Sequence, residues 1–112
     1  MSIRLDKEWL ALDRAAVDAL PAQLGVFHVA DDEGTVLTIG YAGARDLFGI
    51  RSALEREMER HGAAATRFRY EFTSNYRSRW DELLMLHLHD HGSLPPHQAD
   101  QAQRVGRLDP QD

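Results

Sequence analysis

The sequence predicts a small α/β domain in which a three-stranded sheet is flanked by helices, with a further helix at the N-terminus. Three observations carry this prediction. Two short apolar runs around an acidic turn indicate a hairpin, a later run alternates aromatic and charged residues, and further segments repeat apolar residues at helical spacing. A length of 112 residues suits one domain with its own core.

Composition narrows the class of protein. Hydrophobic residues make up 43% and charged residues 28% of the chain, as in globular proteins, and no apolar run approaches the ~20 residues of a membrane-spanning helix. The chain has no cysteine, which excludes disulfide bonds, thiolate catalysis and a cysteine-based zinc site. Because the N-terminus also lacks an apolar signal core, we expect a cytoplasmic protein with no membrane partner.

The charge is acidic overall but locally basic. The net charge of −5 argues against a general nucleic-acid coat. Between residues 51 and 79, however, seven arginines stand against four glutamates, and Lys7 is the only lysine of the chain. Two explanations stay open: a coding bias toward arginine, or a face that binds phosphate or carboxylate groups, whose geometry guanidinium forks match.

The first half of the chain predicts one helix and the hairpin. Residues 6–20 repeat apolar residues at helical spacing, with Asp6 as the N-cap and Pro21 after the last turn. Residues 24–30 and 35–39 are the two strands, joined by a turn in which Gly34 can adopt a positive φ. Phe27 and Val29 then share one face of the sheet, and Val26 and its alternate neighbours share the other. A glycine-rich loop follows from residue 40 to residue 49.

The second half predicts two helices and the third strand. Residues 50–61 form an amphipathic helix ended by Gly62. Residues 67–73 form a half-buried strand whose aromatic residues share one face, while Arg67, Arg69 and Glu71 point outward. Residues 78–91 form an apolar helix that crosses the sheet, with Ser78 as the N-cap and Gly92 after its end. The expected units are an N-terminal extension (1–22), the main domain (23–98) and a polar tail (99–112), frayed or weakly helical.

This order of elements, together with short motifs, resembles the GIY-YIG nuclease superfamily over about two-thirds of the chain. The letters G-V-F at residues 25–27 and T-I-G at 38–40 stand where the family has its two hairpin motifs. Arg51 stands on the helix after the loop, Glu82 on the later helix, and LPPHQ at the exit. The resemblance implies that a motif tyrosine activates or orients water, the arginine stabilises the phosphoryl charge, and the glutamate holds one Mg²⁺.

Both motif tyrosines are absent here. Phe27 has the ring without the hydroxyl, and the hydroxyl of Thr38 is too short to replace a phenol. Because the loss of a general base typically lowers the rate by about 10²–10⁴, we expect a domain that has lost hydrolytic activity. Tyr41 directly follows the second motif and is the alternative source of a phenol.

The resulting expectation is a catalytically degenerate GIY-YIG-like domain that serves as an accessory or binding subunit of a cytoplasmic assembly, with a protein partner and no cofactor. The first alternative is a divergent Mg²⁺-dependent endonuclease that uses Arg51, Glu82 and Tyr41, with Glu82 as the metal ligand. The second is a non-catalytic nucleic-acid-binding module. The expected docking site is the loop after Gly40 and the start of the next helix: Tyr41, Arg45, Leu47, Phe48 and Arg51. An equal alternative for Phe48 is that it fills the domain's own core.

Three histidines near the end of the last long helix raise the question of a metal site. His87 and His91 are four residues apart, and His89 lies between them. A zinc site needs further ligands, and His97 is the nearby candidate. The alternative is that these imidazoles simply suit the negative end of the helix dipole.

Overall fold

The computed structural model describes residues 3–106, which form a four-stranded antiparallel sheet with helices on both faces. The strands are β1 (Leu10–Ala11), β2 (Gly25–Ala30), β3 (Val36–Ala42) and β4 (Arg67–Phe72), in the spatial order β1-β4-β2-β3. The helices are α1 (Arg14–Asp18), α2 (Ile50–His61), α3 (Tyr76–His91) and α4 (Gln101–Val105). Single 3-10 turns occupy Gly62–Ala64 and Pro96–Gln98.

The central strand β2 organises the sheet, as the hairpin pattern predicts. It pairs with β3 on one side and with β4 on the other, and all six of its residues are buried. Phe27 and Val29 pack on one face and Val26 packs on the other, so the predicted division of faces is confirmed. An apolar strand covered on both faces explains why a nearly continuous hydrophobic run lies here.

Two hydrophobic cores lie on opposite faces of the sheet. The first joins the sheet to α1 and α2 through buried side chains that include Val17, Ile50, Leu54 and Phe68. The second joins the sheet to α3 through Leu83, Leu84 and their neighbours, and it also contains Leu5 and Leu94 from the two ends of the described chain. Edge strand β3 therefore has α2 over one face and α3 over the other.

Two helix boundaries follow from glycines. The predicted bounds of α2 are confirmed, and Gly62 follows it with a φ of 57°. The predicted end of α3 is also confirmed, since Gly92 takes the left-handed conformation with a φ of 78°. The predicted start was wrong: α3 begins at Tyr76 rather than at Ser78, because the carbonyl of Asn75 already accepts the amide of Arg79 at 3.0 Å.

The N-terminal helix predicted for residues 6–20 was also wrong. Only α1 is helical in this region, and its N-cap is Asp13, whose carboxylate accepts the amide of Ala16 at 2.8 Å. Residues Leu10–Ala11 instead pair with β4 as the edge strand β1. Without β1, peptide groups on this edge of β4 would lack hydrogen-bond partners. Residues Leu10–Ala11 therefore form a strand there, although the apolar residues around them repeat at helical spacing.

The predicted count of three strands omitted β1, although the three predicted strands do form one sheet. Strand β3 is also longer than predicted, because its pairing with β2 continues to Ala42 opposite Gly25. Gly40 and Tyr41 therefore lie within a strand instead of a loop. The remaining loop, residues 43–49, carries the two most exposed large apolar side chains of the described chain, Leu47 and Phe48.

The polar face of β4 does not point to solvent as expected. The guanidinium of Arg69 lies 4.0 Å from the ring centroid of Trp9 and donates to Nδ1 of His28 at 3.1 Å. Glu71 accepts from Nε of Arg79 on α3 at 3.0 Å. Arg69 and Glu71 are therefore engaged by the N-terminal segment and by α3 rather than directed to solvent.

The C-terminal segment packs back on the domain. Leu94 and Gln98 are buried, and α4 adds Ala102 and Val105 to the second core. The part of the predicted polar tail beyond residue 106 lies outside the described residues. None of the helices between residues 3 and 106 is long and apolar enough to cross a membrane.

Candidate functional site

A cleft runs along the outer edge of β3, and we call it the edge cleft. It has a volume of about 890 Å³ and lies between α2, the loop after β3 and the first turns of α3. The 3-10 turn Pro96–Gln98 contributes to its wall. The charged side chains of the lining are four arginines and three carboxylates: Arg45, Arg56, Arg60, Arg77, Asp46, Glu57 and Asp100. The cleft is therefore locally positive in an acidic chain.

Aromatic rings form one wall of the edge cleft. The rings of Tyr41 and Tyr76 stack with their centroids 5.5 Å apart, and Trp80 lies 4.9 Å from Tyr41. The indole nitrogen of Trp80 donates to the carbonyl of Ile39 at 2.7 Å. The guanidinium carbon of Arg77 lies over the ring of Tyr41, 5.4 Å from its centroid. These contacts hold the aromatic wall in place and leave cationic groups at its rim.

The base of the edge cleft is a polar cluster of four side chains, Thr38, Glu57, His61 and His97, which we call the Glu57 cluster. The hydroxyl of Thr38 donates to Oε1 of Glu57 at 2.6 Å, and it lies 2.8 Å from Nε2 of both histidines. A hydroxyl can donate one hydrogen bond and accept two, so these partners use its whole capacity.

The Glu57 cluster draws on three separate parts of the chain. Glu57 and His61 are one turn apart on α2, Thr38 lies on β3, and His97 comes from the 3-10 turn after α3. Glu57 is only 6% exposed because it belongs to the same helix face as the buried Ala53 and Leu54. Burial lowers the pKa of His61 from its usual value, although the neighbouring Glu57 raises it in part. The His61 ring is therefore neutral at pH 7.

The outer edge of β3 is closed by side chains rather than by another strand. The amide group of Gln98 accepts from the Ile39 nitrogen at 2.9 Å and donates to the Ile39 oxygen at 2.7 Å. Nε2 of His97 lies 3.1 Å from the carbonyl oxygen of Leu37. These contacts satisfy edge groups that would otherwise invite pairing with another chain.

The side chains expected to form a nuclease site are distributed over the molecule. Tyr41 lines the edge cleft, as do the motif positions Phe27 and Thr38, whereas Arg51 and Glu82 do not. The guanidinium of Arg51 covers the ring of Phe48 at 5.4 Å. The carboxylate of Glu82 contacts Arg79, which also binds Glu71. The motif position Phe27 is buried in the first core, with its ring against Gly40.

The expected docking residues divide into two groups. Tyr41 and Arg45 belong to the wall of the edge cleft. Leu47 and Phe48 are 83% and 49% exposed on the adjoining loop and lie outside that wall. The cleft meets the middle and last turns of α2, which carry Arg56 and Arg60, rather than the first turn that carries Arg51.

Among the residues that the structure describes, no third ligand joins the histidine pair of α3. The ring centroids of His87 and His91 lie 4.2 Å apart, and burial, followed by the charge of His91, lowers the pKa of His87 to about 4. His97 lies away from them, next to His61, with ring centroids 5.6 Å apart. Within residues 3–106, the group of three side chains close enough to share an ion is Glu57, His61 and His97.

Sequence reasoning missed the Glu57 cluster, although one signal was present. Glu57 occupies the apolar stripe of a helix, where a carboxylate needs a specific partner, and His61 follows it by one turn. No sequence pattern indicates that His97 joins the Glu57 cluster, because its position depends on the path of the chain after α3.

Comparisons with known proteins give one match. The model of the family described as Domain of unknown function (DUF7508) matches residues 3–90, which include every strand and most of the edge cleft but not His97 or Gln98. No curated protein and no solved structure matches the chain.

Proposed function

Since the chain belongs to the DUF7508 family, a domain of unknown function, we propose from the geometry of the site that it is a non-catalytic binding subunit. The edge cleft receives an acidic segment of a protein partner in a cytoplasmic assembly. One observation carries the proposal: the cleft combines arginines that no carboxylate of the described chain binds with an aromatic wall, while Arg51 and Glu82, the expected phosphate-binding and metal-binding groups, lie outside it.

The charge of the cleft favours an anionic occupant. Arg56 already binds Asp46 at 2.6 Å, and Arg60 lies 3.4 Å from Glu57. Among the described residues, neither Arg45 nor Arg77 forms an ion pair, and both are exposed at the rim. Carboxylates of a partner would find two guanidinium groups there that no carboxylate of the described chain binds.

The loop beside the cleft supplies apolar contact area. Leu47 and Phe48 are exposed next to Arg45, and aromatic and arginine side chains are the types that most often dominate the binding energy of interfaces. A protein segment with carboxylates next to an apolar side chain could contact the arginines of the cleft and the apolar loop at once. A small anion could contact only the arginines.

The arrangement gives less support to the endonuclease alternative. Phe27 is 2% exposed and has no hydroxyl, and the hydroxyl of Thr38 is fully engaged within the Glu57 cluster. Glu82 faces Arg79 rather than the cleft. We therefore expect no Mg²⁺- or Mn²⁺-dependent cleavage of DNA or RNA above that of the Glu82→Ala variant. Cleavage that Arg51→Ala abolishes would establish the endonuclease instead.

The nucleic-acid-binding alternative has one supporting observation. The stacked pair Tyr41 and Tyr76, flanked by Arg77, has the composition of a platform for single-stranded bases. The net charge of −5 opposes it, since such binding draws most of its affinity from phosphate contacts.

A capture experiment with charge-reversed variants tests the proposal. The tagged chain is expressed in its native organism, and bound molecules are identified by mass spectrometry and by nuclease-sensitive absorbance. We expect one stoichiometric protein partner, retained by the wild type and lost by the Arg45→Glu, Arg77→Glu double variant. The matched control is Arg14→Glu, an exposed arginine on α1 outside the cleft lining. A partner that the double variant retains, or nucleic acid in place of a protein, would overturn the proposal.

A further inference from the structure

Three metal-ligating groups converge at the base of the edge cleft. Glu57, His61 and His97 each place one donor atom within 4.8 Å of the others. Two of them come from α2, and the third comes from a turn that lies 36 residues later than His61. The convergence thus depends on the tertiary fold and not on one helix alone.

The spacing on α2 suits a small divalent ion. Oε1 of Glu57 lies 3.4 Å from Nε2 of His61. Two ligand atoms that each lie about 2.0–2.1 Å from a tetrahedral ion are themselves about 3.4 Å apart. The pair could therefore bind one ion without movement of the helix backbone.

Burial and charge also favour a cation at this place. The carboxylate of Glu57 is 6% exposed, and a buried carboxylate needs positive charge or several hydrogen bonds. Nε of Arg60 lies 3.4 Å from Oε1 of Glu57, but the Arg60 side chain is 51% exposed, so solvent screens this ion pair. The imidazoles of His61 and His97 add the nitrogen ligands that suit a transition-metal ion.

We propose that Glu57, His61 and His97 bind a divalent transition-metal ion, with Zn²⁺ the ion whose preferred ligands they match. Two imidazoles and one carboxylate form the ligand set of zinc sites that keep an open position, and they do not suit Mg²⁺ or Ca²⁺, which prefer oxygen. The open position faces the edge cleft, which Glu57 and His97 line. The site is independent of the proposed partner and distinct from the Mg²⁺ site expected at Glu82.

The hydroxyl of Thr38 would compete with a metal ion for the ring nitrogens of His61 and His97. Because the Thr38 hydroxyl donates to Glu57, it accepts from the two histidines when each ring carries its proton on Nε2, and Nε2 of His97 also lies 3.1 Å from the carbonyl oxygen of Leu37. A metal needs the Nε2 lone pairs, so both rings must carry their proton on Nδ1 and give up these hydrogen bonds. Thr38→Val removes the competing hydroxyl, so its affinity for Zn²⁺ should equal or exceed that of the wild type.

Calorimetric titration of the tag-free, metal-stripped chain with Zn²⁺ tests the site. We expect one ion per chain, and a rise in melting temperature of about 10 °C when free Zn²⁺ exceeds the Kd a hundredfold. His97→Ala should weaken binding by at least about 100-fold, and because His97 is exposed, this variant keeps the fold. Glu57→Gln should weaken binding in the same way, with the fold checked by circular dichroism.

The matched control is the other histidine pair of the chain, in the His87→Ala, His91→Ala double variant, which should bind Zn²⁺ as the wild type does. Three results would overturn the proposal: no rise in melting temperature with Zn²⁺, binding that His97→Ala leaves unchanged, or binding that the His87→Ala, His91→Ala variant abolishes. The first of these would identify the Glu57 cluster as a hydrogen-bonded network alone. None of these outcomes depends on whether a protein partner is captured.

Discussion

At the scale of single residues, two neighbouring apolar side chains have opposite roles. Phe48 is 49% exposed, and its ring is covered on one side by the guanidinium of Arg51, whereas Ile50 two residues later is fully buried in the first core. The sequence left open whether Phe48 fills the core or serves a partner, and its exposure favours the second explanation.

Truncation to alanine separates these roles. Phe48→Ala should lower the melting temperature by at most about 3 °C, because it removes an exposed cation–π contact worth about 0.5–1 kcal/mol. Ile50→Ala should lower it by about 10 °C or more, because it leaves a cavity that costs about 2–5 kcal/mol. Differential scanning calorimetry of both variants gives the comparison. A large loss for Phe48→Ala would remove the loop from the proposed docking surface.

The buried histidine His28 links stability to pH. Burial, followed by the charge of Arg69, lowers its pKa from 6.5 to about 3. Between these values the unfolded chain binds a proton that the folded chain does not. The contribution of His28 is therefore complete above about pH 6.5 and is lost as the pH falls toward 3. The free energy of unfolding should decrease by up to about 1.4 kcal/mol per pH unit from this group.

Urea unfolding between pH 7 and pH 4 measures this slope. His28→Gln keeps an acceptor for Arg69 but cannot titrate, so its slope should be smaller by about one proton than that of the wild type. His89→Gln replaces an exposed histidine and serves as the control. Equal slopes for His28→Gln and the wild type would show that His28 does not carry the pH dependence.

At the scale of the elements, the motif glycines have structural roles that need no catalysis. A Cβ at Gly25 would collide with the backbone of β4 at Glu71, and a Cβ at Gly40 would collide with the ring of Phe27, its partner across the hairpin. Close packing between neighbouring strands is therefore enough to explain a glycine at each of these two motif positions.

A double-mutant cycle tests this pairing. Gly40→Ala should lower the free energy of unfolding by about 1–3 kcal/mol, because it overpacks the contact with Phe27. In a Phe27→Leu background the same change should cost less, since the smaller side chain leaves room for the new methyl group. The coupling free energy from chemical denaturation should then exceed about 0.5 kcal/mol. Additive effects would contradict the proposed contact.

The elements differ in how far the sequence could predict them. The bounds of α2 and the end of α3 were predictable because glycines with positive φ follow them. Strand β1 was not, because two residues paired with the edge of β4 leave no periodic signal, and the true N-cap Asp13 lies inside the apparent helical pattern. The Glu57 cluster could not be predicted either, because it forms only when the chain after α3 folds back onto β3, and local sequence patterns do not specify that path.

At the scale of the whole molecule, the C-terminal segment protects the sheet. Gln98 occupies both peptide groups of Ile39 on the outer edge of β3, in place of a neighbouring strand. The sequence offered no signal for this role, because a glutamine after two prolines resembles any polar exit from a helix.

Gln98→Ala should expose the edge of β3. We expect a loss of about 2 kcal/mol in stability, since two hydrogen bonds of about 1 kcal/mol each disappear, and a new concentration-dependent dimer in sedimentation experiments. Gln101→Ala, three residues later at the start of α4, is the control and should remain monomeric to the same extent as the wild type. A monomeric Gln98→Ala variant of unchanged stability would contradict this role.

The hydrogen bond from the Ile39 amide to the Gln98 side chain makes the exchange rate of this amide proton a measure of local opening at the C-terminal turn. The amide of Ile39 lies in a strand of the sheet, yet its acceptor is a side chain from the 3-10 turn Pro96–Gln98. Its exchange with deuterium therefore requires only that this turn detaches, whereas the amides between β2 and β3 exchange when the sheet itself opens. A ligand that tightens the C-terminal turn would slow exchange at Ile39 and leave the centre of the sheet unchanged. Exchange of the Ile39 amide thus shows, separately from global unfolding, whether the C-terminal turn is packed against the edge cleft.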